Sequence, residues 1–440
     1  MIAGIMKFII ETYGCQMNVA DSELVSAILV DAGFEKTEYI NNADIIIFNT
    51  CTVRQHAEDR VIGRITQEAR RKKEKTDLLI GIIGCVSQRI GNRLVHQISA
   101  LDFAVGTDQY LQLPDIIHKC YEQKVSISQL TVNHRENYEN IYPLRKKGIS
   151  AFISIMRGCN NFCSYCIVPY TRGRERSRRP KEIIKEIMRA GKDGYKDITL
   201  LGQNVNSYFA DGVDFPELLY LVNNISEVSR IRFVTSHPKD LSDRLIEAMA
   251  SLDKVCEHIH LPMQSGSNKI LKLMNRGYTI EHYLGLIKNL RKAIPKVAIT
   301  TDIMCGFPGE TELNFYETYQ AMQEIEFDYA FTFKYSPRQW TKAAEMNNQI
   351  PEQKRLERLQ KLIKLQEQIT LKKYQHYIGK RVEVLVEQIS KRSDKQVSGR
   401  ARDNKIVVIT GDKNLIGKFI QAKITDATKW TLKGEALPYQ

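Results

Sequence analysis

Apolar residues in the first part of the chain form short runs that alternate with longer amphipathic stretches, which predicts strands alternating with helices. The predicted strands cover 7–12, 43–49 and 78–84, and the predicted helices cover 18–32, 54–75 and a segment after Ser87. Asn18 and Asp21 are candidate caps of the first helix. Because strand–helix alternation produces parallel sheets with right-handed crossovers, we expect a parallel α/β domain over residues 1–122.

The middle of the chain repeats this alternation after a polar segment, 121–147, that is interpreted as a linker. Strands are predicted at 151–156, 197–201, 230–235, 257–261, 297–303 and 328–333, and helices at 181–191, 215–225, 241–252, 279–293 and 311–325. Six strand–helix units indicate a partial parallel (β/α)6 barrel within residues 145–376. Barrel enzymes carry their chemistry at the C-terminal ends of the strands.

Towards the end of the sequence, apolar and polar residues alternate with a period of two. A charged helical stretch at 352–376 leads to alternating runs at 381–386, 405–410 and 419–424. Short alternating strands separated by Gly, Asp and Asn predict a small β-barrel over 378–440. Small barrels of this kind often bind RNA. The chain is therefore predicted to be an α/β protein with a third, all-β domain.

Three cysteines lie just past the ends of the first three predicted strands: Cys15, Cys51 and Cys85. In a parallel sheet these strand ends share one edge, where ligands bind. We call this set the rim triplet and interpret it as a three-cysteine iron–sulfur site with room for an external ligand. The alternative is three unrelated buried thiols, since free cysteine is common in protein cores.

A second set of cysteines has the spacing CxxxCxxC: Cys159, Cys163 and Cys166, with Tyr165 before the last. We call it the loop triplet. It follows the first predicted barrel strand, which places it at the barrel mouth. Iron–sulfur clusters normally use four cysteines, so three thiolates leave one iron of a 4Fe-4S cluster open to S-adenosylmethionine. A zinc site is the alternative, but zinc prefers four closed ligands.

Charge and composition indicate a class of binding partner and a cellular compartment. The net charge is +13, with eight Lys/Arg against four Asp/Glu in 54–75 and thirteen against seven in 378–440. Such an excess favours a polyanionic partner such as nucleic acid. No run of 18 apolar residues and no signal-peptide layout occurs, and nine unpatterned cysteines favour reduced thiols. We expect a cytoplasmic protein with no membrane association.

Several motifs extend this interpretation to a family. The runs Tyr-Gly-Cys-Gln-Met-Asn at 13–18, Asn-Thr-Cys-Thr-Val-Arg at 49–54 and Gly84-Cys85 resemble the N-terminal domain of methylthiotransferases. The stretch 157–178 and the runs at 201–208, 235–238, 262–267 and 306–311 resemble the radical-SAM core of those enzymes. The C-terminal β-domain resembles a TRAM module. The chain departs from the family pattern at Cys305, where an aliphatic residue is expected, and at Trp340, where glycine is expected.

The resemblance implies a reaction. Within the family, the Cys-Gln-Met-Asn and Gln-Asn-Val-Asn runs are most similar to members that add sulfur and a methyl group at C2 of N6-isopentenyladenosine, next to the tRNA anticodon. It implies two 4Fe-4S clusters, S-adenosylmethionine at the loop triplet, a transferred sulfur at the rim triplet, and separate electron and sulfur donors. The alternatives are the threonylcarbamoyl form of the same adenosine, a ribosomal-protein aspartate, and a non-catalytic iron–sulfur RNA-binding protein.

The resemblance also suggests roles for individual side chains. Five residues are candidate contacts of S-adenosylmethionine or substrate: Tyr165, Gln203, Asn204, Gln264 and Ser265. Three arginines after the loop triplet are candidate contacts of RNA: Arg172, Arg174 and Arg178. Four aromatic residues at or after strand ends could line a pocket for an apolar prenyl group: Phe209, Phe331, Phe333 and Tyr335. For each of these, ordinary packing or solvation is the alternative.

Overall fold

The first domain contains a six-stranded parallel sheet. The structure, a computed structural model, describes residues 5–52, 55–133 and 136–437. The sheet order is β2-β1-β3-β4-β5-β6, with β1 Lys7–Tyr13, β2 Glu35–Lys36, β3 Ile45–Thr50, β4 Leu79–Gly84, β5 Phe103–Val105 and β6 Ile127–Gln129. Helices α1 (Gln16–Asp31), α2 (Gln55–Lys72), α3 (Cys85–Gln97) and α4 (Leu113–Gln123) connect them. Every residue of β3 and β4 is buried, which explains their continuous apolar runs.

Two sequence expectations for this domain are wrong. The predicted linker 121–147 contains the end of α4 and strand β6, which pairs in parallel with β5; three partly buried residues give too short a pattern to read as a strand. The predicted caps Asn18 and Asp21 lie inside α1, which begins after Cys15. Both side chains are buried. They contact residues in other parts of the fold and do not cap the helix.

The central domain has six parallel strands in chain order. One sheet contains β7 (Ser150–Ser154), β10 (Asp197–Leu201) and β13 (Arg230–Phe233), and the next contains β14 (His258–His260), β15 (Ala298–Cys305) and β16 (Tyr329–Lys334). A parallel bridge between Ile231 of β13 and Val255, three residues before β14, links the two sheets. This arrangement confirms the predicted partial barrel.

The remaining elements surround these strands. The helices are α5 (Val168–Thr171), α6 (Pro180–Lys192), α7 (Phe215–Asn223), α8 (Asp243–Ser251), α9 (Asn268–Leu273), α10 (Ile280–Ala293), α11 (Glu312–Ile325) and α12 (Glu352–Gln375). The short strands are β8 (Met156–Arg157), β9 (Arg176–Ser177), β11 (Phe209–Ala210) and β12 (Val213–Asp214). Strands β8 and β9 pair antiparallel on either side of the loop triplet and so close the base of that loop.

The third domain is a closed five-stranded barrel, as predicted. Its strand order is β17-β18-β19-β21-β20, with β17 Arg381–Ser390, β18 Ser393–Ala401, β19 Ile406–Thr410, β20 Phe419–Ala427 and β21 Leu432–Ala436. Alternate residues such as Val384, Val397 and Ile409 fill the interior, as the period of two requires. Strands β18 and β21 carry too many polar residues to have been predicted.

Buried charged side chains attach this barrel to the central domain. Arg230, at 1% exposure, donates from Nη1 to the carbonyl of Arg400 at 2.6 Å. Arg232 donates from Nη2 to the carbonyl of Ala401 at 2.9 Å. Lys405 pairs with Asp328 at 3.0 Å. The third domain therefore packs as a fixed part of the structure. In the described ranges, no helix has the length and apolar character needed to cross a bilayer.

Candidate active site

The rim triplet lies together at one edge of the first sheet. Register pairs Tyr13 with Thr50 and Thr50 with Gly84, so the three strands end side by side. Cys15 precedes α1, Cys51 follows β3 and Cys85 begins α3. A Cβ atom on Gly14 would come within 2.3 Å of the Cys51 Cβ, and the positive φ of Gly14, +136°, also favours glycine. The predicted convergence of these cysteines is present.

The surroundings of the rim triplet act differently on its thiols. The thiol of Cys51 hydrogen-bonds to the Cys15 sulfur and lowers the pKa of Cys15 to about 6. Burial raises the pKa of Cys85, and the guanidinium of Arg172 opposes that effect. Arg172 donates from Nε to the Cys85 Sγ at 3.2 Å. Thiolates beside a buried cation are suitable ligands for iron.

The loop triplet is held at the mouth of the central barrel. Ser164, between the second and third cysteines, donates to the carbonyls of Met274 and Leu273 and accepts from the amide of Ala343. Gly158 precedes the triplet with φ of +76°, and a Cβ there would lie 2.0 Å from the carbonyl of Arg174. This position therefore requires glycine.

The loop triplet also has a buried arginine of its own. Arg276 donates from Nη1 to the Cys163 Sγ at 3.3 Å and from Nη2 to the carbonyl of Pro262 at 3.0 Å. Burial raises the pKa of Cys166 to about 12, so that thiol is neutral until a metal binds it. Sequence reasoning missed Arg276, because it lies more than one hundred residues beyond the cysteine loop.

Four buried polar atoms without a hydrogen-bond partner lie after β10 and β13: Gln203 Oε1, Asn204 Oδ1, Ser236 Oγ and His237 Nε2. The two loops are joined, since the amide of Val205 donates to the carbonyl of Thr235 at 3.0 Å. Buried polar atoms are normally paired. These atoms are therefore free to contact a polar ligand at the barrel mouth.

His237 is a neutral donor in this group. Burial, followed by Arg276 and Lys239, lowers its pKa to about 2. Nδ1 accepts the amide of Lys239 at 3.2 Å, so the proton is on Nε2, which has no partner. Sequence reasoning assigned no role to Ser236 or His237. The available signal was two adjacent polar residues shortly after a buried strand.

The other predicted S-adenosylmethionine contacts have different surroundings. Tyr165 packs edge-on against Phe307, with ring centroids 6.5 Å apart. The backbone of Gln264 bonds to β15, donating to the Asp302 carbonyl and accepting from the Met304 amide. Ser265 is fully buried, and its hydroxyl is bonded to Thr318 Oγ1 at 3.1 Å and to the amide of Ser267. A ligand contact predicted for Ser265 is therefore not available in this structure.

The predicted RNA-binding arginines separate into two groups. Arg172 is 3% exposed and paired with Asp21 at 2.7 Å. Arg178 is 7% exposed and paired with Glu186 at 2.7 Å. Neither guanidinium is accessible to a phosphate, so the RNA contacts predicted for these two conflict with the structure. Arg174 is exposed, and its guanidinium lies 4.2 Å above the ring of Phe162.

A cavity of about 500 Å³ lies between Cys15 and Cys51 of the rim triplet and the strands β14, β15 and β16 of the central domain. Its described lining comes from all three domains and includes Cys15, Cys51, Thr235, His260, Asp302, Asp328, Tyr329, Phe331, Phe333, Arg400, Lys405 and Trp430. Phe331 and Phe333 line this cavity, and a prenyl contact for them stays a prediction. Tyr335 packs instead against Phe307, and Phe209 is 64% exposed. The cavity combines an aromatic wall with a few polar groups, which is typical of small-ligand sites.

The cysteines of both triplets are of the chemical type that binds iron–sulfur clusters. Each triplet offers three soft sulfur donors, which favour iron–sulfur clusters over hard cations, and each has an arginine donating to one sulfur. Within residues 5–52, 55–133 and 136–437, no three His, Cys, Asp or Glu side chains are arranged to hold a single metal ion. In a four-iron cube each sulfur ligand binds a different iron.

Known protein families match successive parts of the chain, and the matches correspond to the domains described above. Residues 7–106 match an uncharacterized protein family, UPF0004. Residues 153–322 match the radical SAM superfamily. Residues 375–437 match the TRAM domain.

Full-length relatives decide the family. The chain is 50% identical over 431 residues to a tRNA-2-methylthio-N(6)-dimethylallyladenosine synthase of Caldicellulosiruptor saccharolyticus, covering 97% of this chain and 91% of the relative. It is 46% identical over 442 residues to the synthase of Moorella thermoacetica, covering 99% of each. The chain belongs to the tRNA-2-methylthio-N(6)-dimethylallyladenosine synthase family. As a member of this family it is a radical-SAM transferase that uses S-adenosylmethionine and iron–sulfur chemistry, and the interpretation as a non-catalytic RNA-binding protein is wrong.

Solved structures support the fold. A radical S-adenosylmethionine methyltransferase, TsrM, from Kitasatospora setae, with cobalamin and a [4Fe-4S] cluster bound, gives a TM-score of 0.60 at 14% identity. The match covers 78% of this chain and 77% of that one. The cobalamin-dependent radical enzyme OxsB gives a TM-score of 0.53 at 13% identity, covering 82% of this chain and 56% of that one. At these identities the likeness concerns the arrangement of strands and helices.

Proposed function

We propose that this synthase-family chain adds sulfur and a methyl group to C2 of N6-isopentenyladenosine in tRNA, next to the anticodon. The observation that carries the proposal is the cavity between the rim triplet and the barrel interior, with aromatic walls at Phe331, Phe333 and Trp430. A base that reacts there must leave its stack. The identity to synthases of this name supports the same substrate.

The charges of the cavity favour an apolar substituent on the adenine. Of the described lining residues, Lys405 is paired with Asp328 and Asp403, each at 3.0 Å. Arg400 is paired with Glu387 at 3.3 Å. The lining also contains Asp302. A threonylcarbamoyl group would bring a further carboxylate into a cavity whose lysine and arginine are already engaged, whereas a prenyl group would bury apolar surface against the aromatic wall.

The six cysteines divide between two clusters in this proposal. The loop triplet holds one 4Fe-4S cluster, and the rim triplet holds the other. When bound, the clusters and S-adenosylmethionine supply the one-electron and sulfur-transfer chemistry that activates an unreactive C–H bond. Asn204, Ser236 and His237 offer S-adenosylmethionine their unpaired polar atoms, and Tyr165 lines the same mouth. The walls of the cavity hold the adenine and exclude water from it.

Arg174 and the third domain are assigned to tRNA. The exposed Arg174 lies beside the loop triplet, where it can contact a phosphate near the anticodon, and phosphate contacts fix position without reading sequence. The third domain, with thirteen Lys/Arg against seven Asp/Glu in 378–440, supplies further positive charge for the phosphate backbone. An electron donor and a sulfur donor complete the reaction. We place the enzyme in the cytoplasm, where tRNA is found.

The test is competition between two tRNAs, one carrying isopentenyladenosine and the other threonylcarbamoyladenosine, followed by nucleoside mass spectrometry. We expect methylthiolation of the isopentenyl tRNA. The variant F331A enlarges the cavity and should reduce this preference, while F209A, outside the cavity, serves as a matched aromatic control. Preferential methylthiolation of the threonylcarbamoyl tRNA would assign the chain to that alternative substrate.

A further inference from the structure

Arg172 connects the two cysteine triplets. In sequence it follows the loop triplet by six residues, yet its Nε donates to the Sγ of Cys85 in the rim triplet at 3.2 Å. Its Nη2 donates to Asp21 at 2.7 Å. Its Nη1 is buried and has no hydrogen-bond partner. The Asp21 carboxylate therefore fixes the guanidinium. Its Nε–H group donates to the Cys85 sulfur, and its Nη1 group remains without a partner beside the rim triplet.

Asp21 supports Arg172 from helix α1 of the first domain. The carboxylate is 1% exposed and also pairs through Oδ1 with Arg157. Arg157 lies 4.6 Å above the ring of Tyr138 and touches the carbonyl of Thr107 at 3.4 Å. Two buried arginines of the central domain therefore share one acid of the first domain, and only Arg172 is seen to reach a rim cysteine.

A donor of this kind changes the chemistry of a cluster bound at the rim triplet. Hydrogen bonds to the sulfurs and nearby charge set the reduction potential of an iron–sulfur cluster. Reduction adds negative charge, which a neighbouring guanidinium stabilises. Because arginine presents several donors in a rigid fork, it can bond Cys85 and Asp21 together, which lysine cannot do with the same geometry.

We propose that Arg172 is a positioning residue for the rim cluster, which raises the reduction potential of that cluster through Cys85 and is held in place by Asp21. The inference rests on the assignment of a cluster to the rim triplet in the proposed function. The same contact fixes the segment after the loop triplet against the first domain, so one side chain sets both the electronic state of one site and its placement relative to the other.

The test is a redox titration followed by electron paramagnetic resonance on the anaerobically reconstituted full-length chain. A parallel background carrying C159A, C163A and C166A retains only the rim triplet and assigns the signal. R172M should make the rim midpoint potential more negative. A hydrogen bond to a charged group corresponds to roughly tenfold in an equilibrium, and tenfold is about 59 mV for a one-electron couple. R172K should give a smaller shift in the same direction.

R157K is the matched control, because it alters a second buried arginine on the same carboxylate without a rim cysteine among its observed contacts. We expect its rim potential to equal that of the unsubstituted chain. Unchanged rim midpoint potentials in R172M and R172K, or a shift in R157K equal to that in R172M, would overturn the proposal. If R172M holds no iron, the midpoint potential of R172K is the deciding measurement. Absence of iron from the unsubstituted rim-only background would instead refute the cluster assignment, and with it this inference.

Discussion

Lys405 is expected to be the strongest single attachment between the third domain and the central barrel. Its side chain is 3% exposed and pairs at 3.0 Å with Asp328 of the central domain and with Asp403 of its own domain. Removing one partner of a buried ion pair typically costs about 3–5 kcal/mol. Asp328 retains Lys373 at 2.7 Å and the amide of Ile299 at 3.0 Å, so K405M should cost less, about 2–3 kcal/mol.

The assay is thermal unfolding of the full-length chain, with limited proteolysis to detect release of the third domain. A loss of 2–3 kcal/mol should lower the transition of this 440-residue chain by roughly 2–3 °C and expose the boundary after Gly379 to protease. K433M is the control, since Lys433 is also a paired lysine of this barrel but its side chain is 53% exposed. D403N combined with K405M should recover part of the loss by removing one unpaired carboxylate. Equal unfolding temperatures for K405M and K433M would refute the reasoning.

Three further outcomes are expected. The reconstituted chain should contain about eight irons, and only four in a well-loaded sample would contradict the two-cluster assignment. Burial raises the pKa of Glu23 to about 7 from 4.5. The contribution of Glu23 to stability is therefore complete below pH 4.5 and is lost as the pH rises through 7. Above pH 7, the free energy of unfolding of E23Q should exceed that of the parent by about 3 kcal/mol. If the melting temperatures of E23Q and the parent change in parallel with pH, this prediction is contradicted. Trp340 has φ of +75° and is 45% exposed; W340G and W340A both remove the indole, so W340G should be the more stable of the two by about 1 kcal/mol in chemical denaturation, and equal stabilities would reject the strain argument.

The sequence was most informative where chemistry and local pattern coincide. Cysteines placed after three successive apolar strands had to meet at one edge, because parallel strands share the direction of their ends. The period of two after Gly379 predicted a barrel for the same kind of reason. The glycine expected at Trp340 corresponds to a backbone conformation that favours glycine. The first two features follow from the direction of parallel strands and the alternation of side chains, whereas the glycine was expected from the family pattern.

The arginines illustrate what local pattern cannot predict. Arg172, Arg174 and Arg178 alternate in a short polar run, and nothing in that run distinguishes them. Two are buried because acids supplied by other elements neutralise them: Asp21, from a different domain, and Glu186, on α6. Burial of a charge is decided by its partner, so a residue 151 positions away in the chain determines the role of Arg172. The same reasoning applies to Arg276 and Cys163.

The shared cavity has a consequence for synthesis of the protein. Its walls include Cys15 near the start of the chain and Trp430 near the end. During translation the first domain can fold early, since domains generally fold as units from the N-terminus. The place for the substrate, however, is incomplete until the last barrel strands have left the ribosome and docked. A nascent or truncated chain lacking those strands would carry both cysteine triplets without the part of the cavity wall that the third domain supplies, so the cavity is complete only after the third domain has been made and has docked.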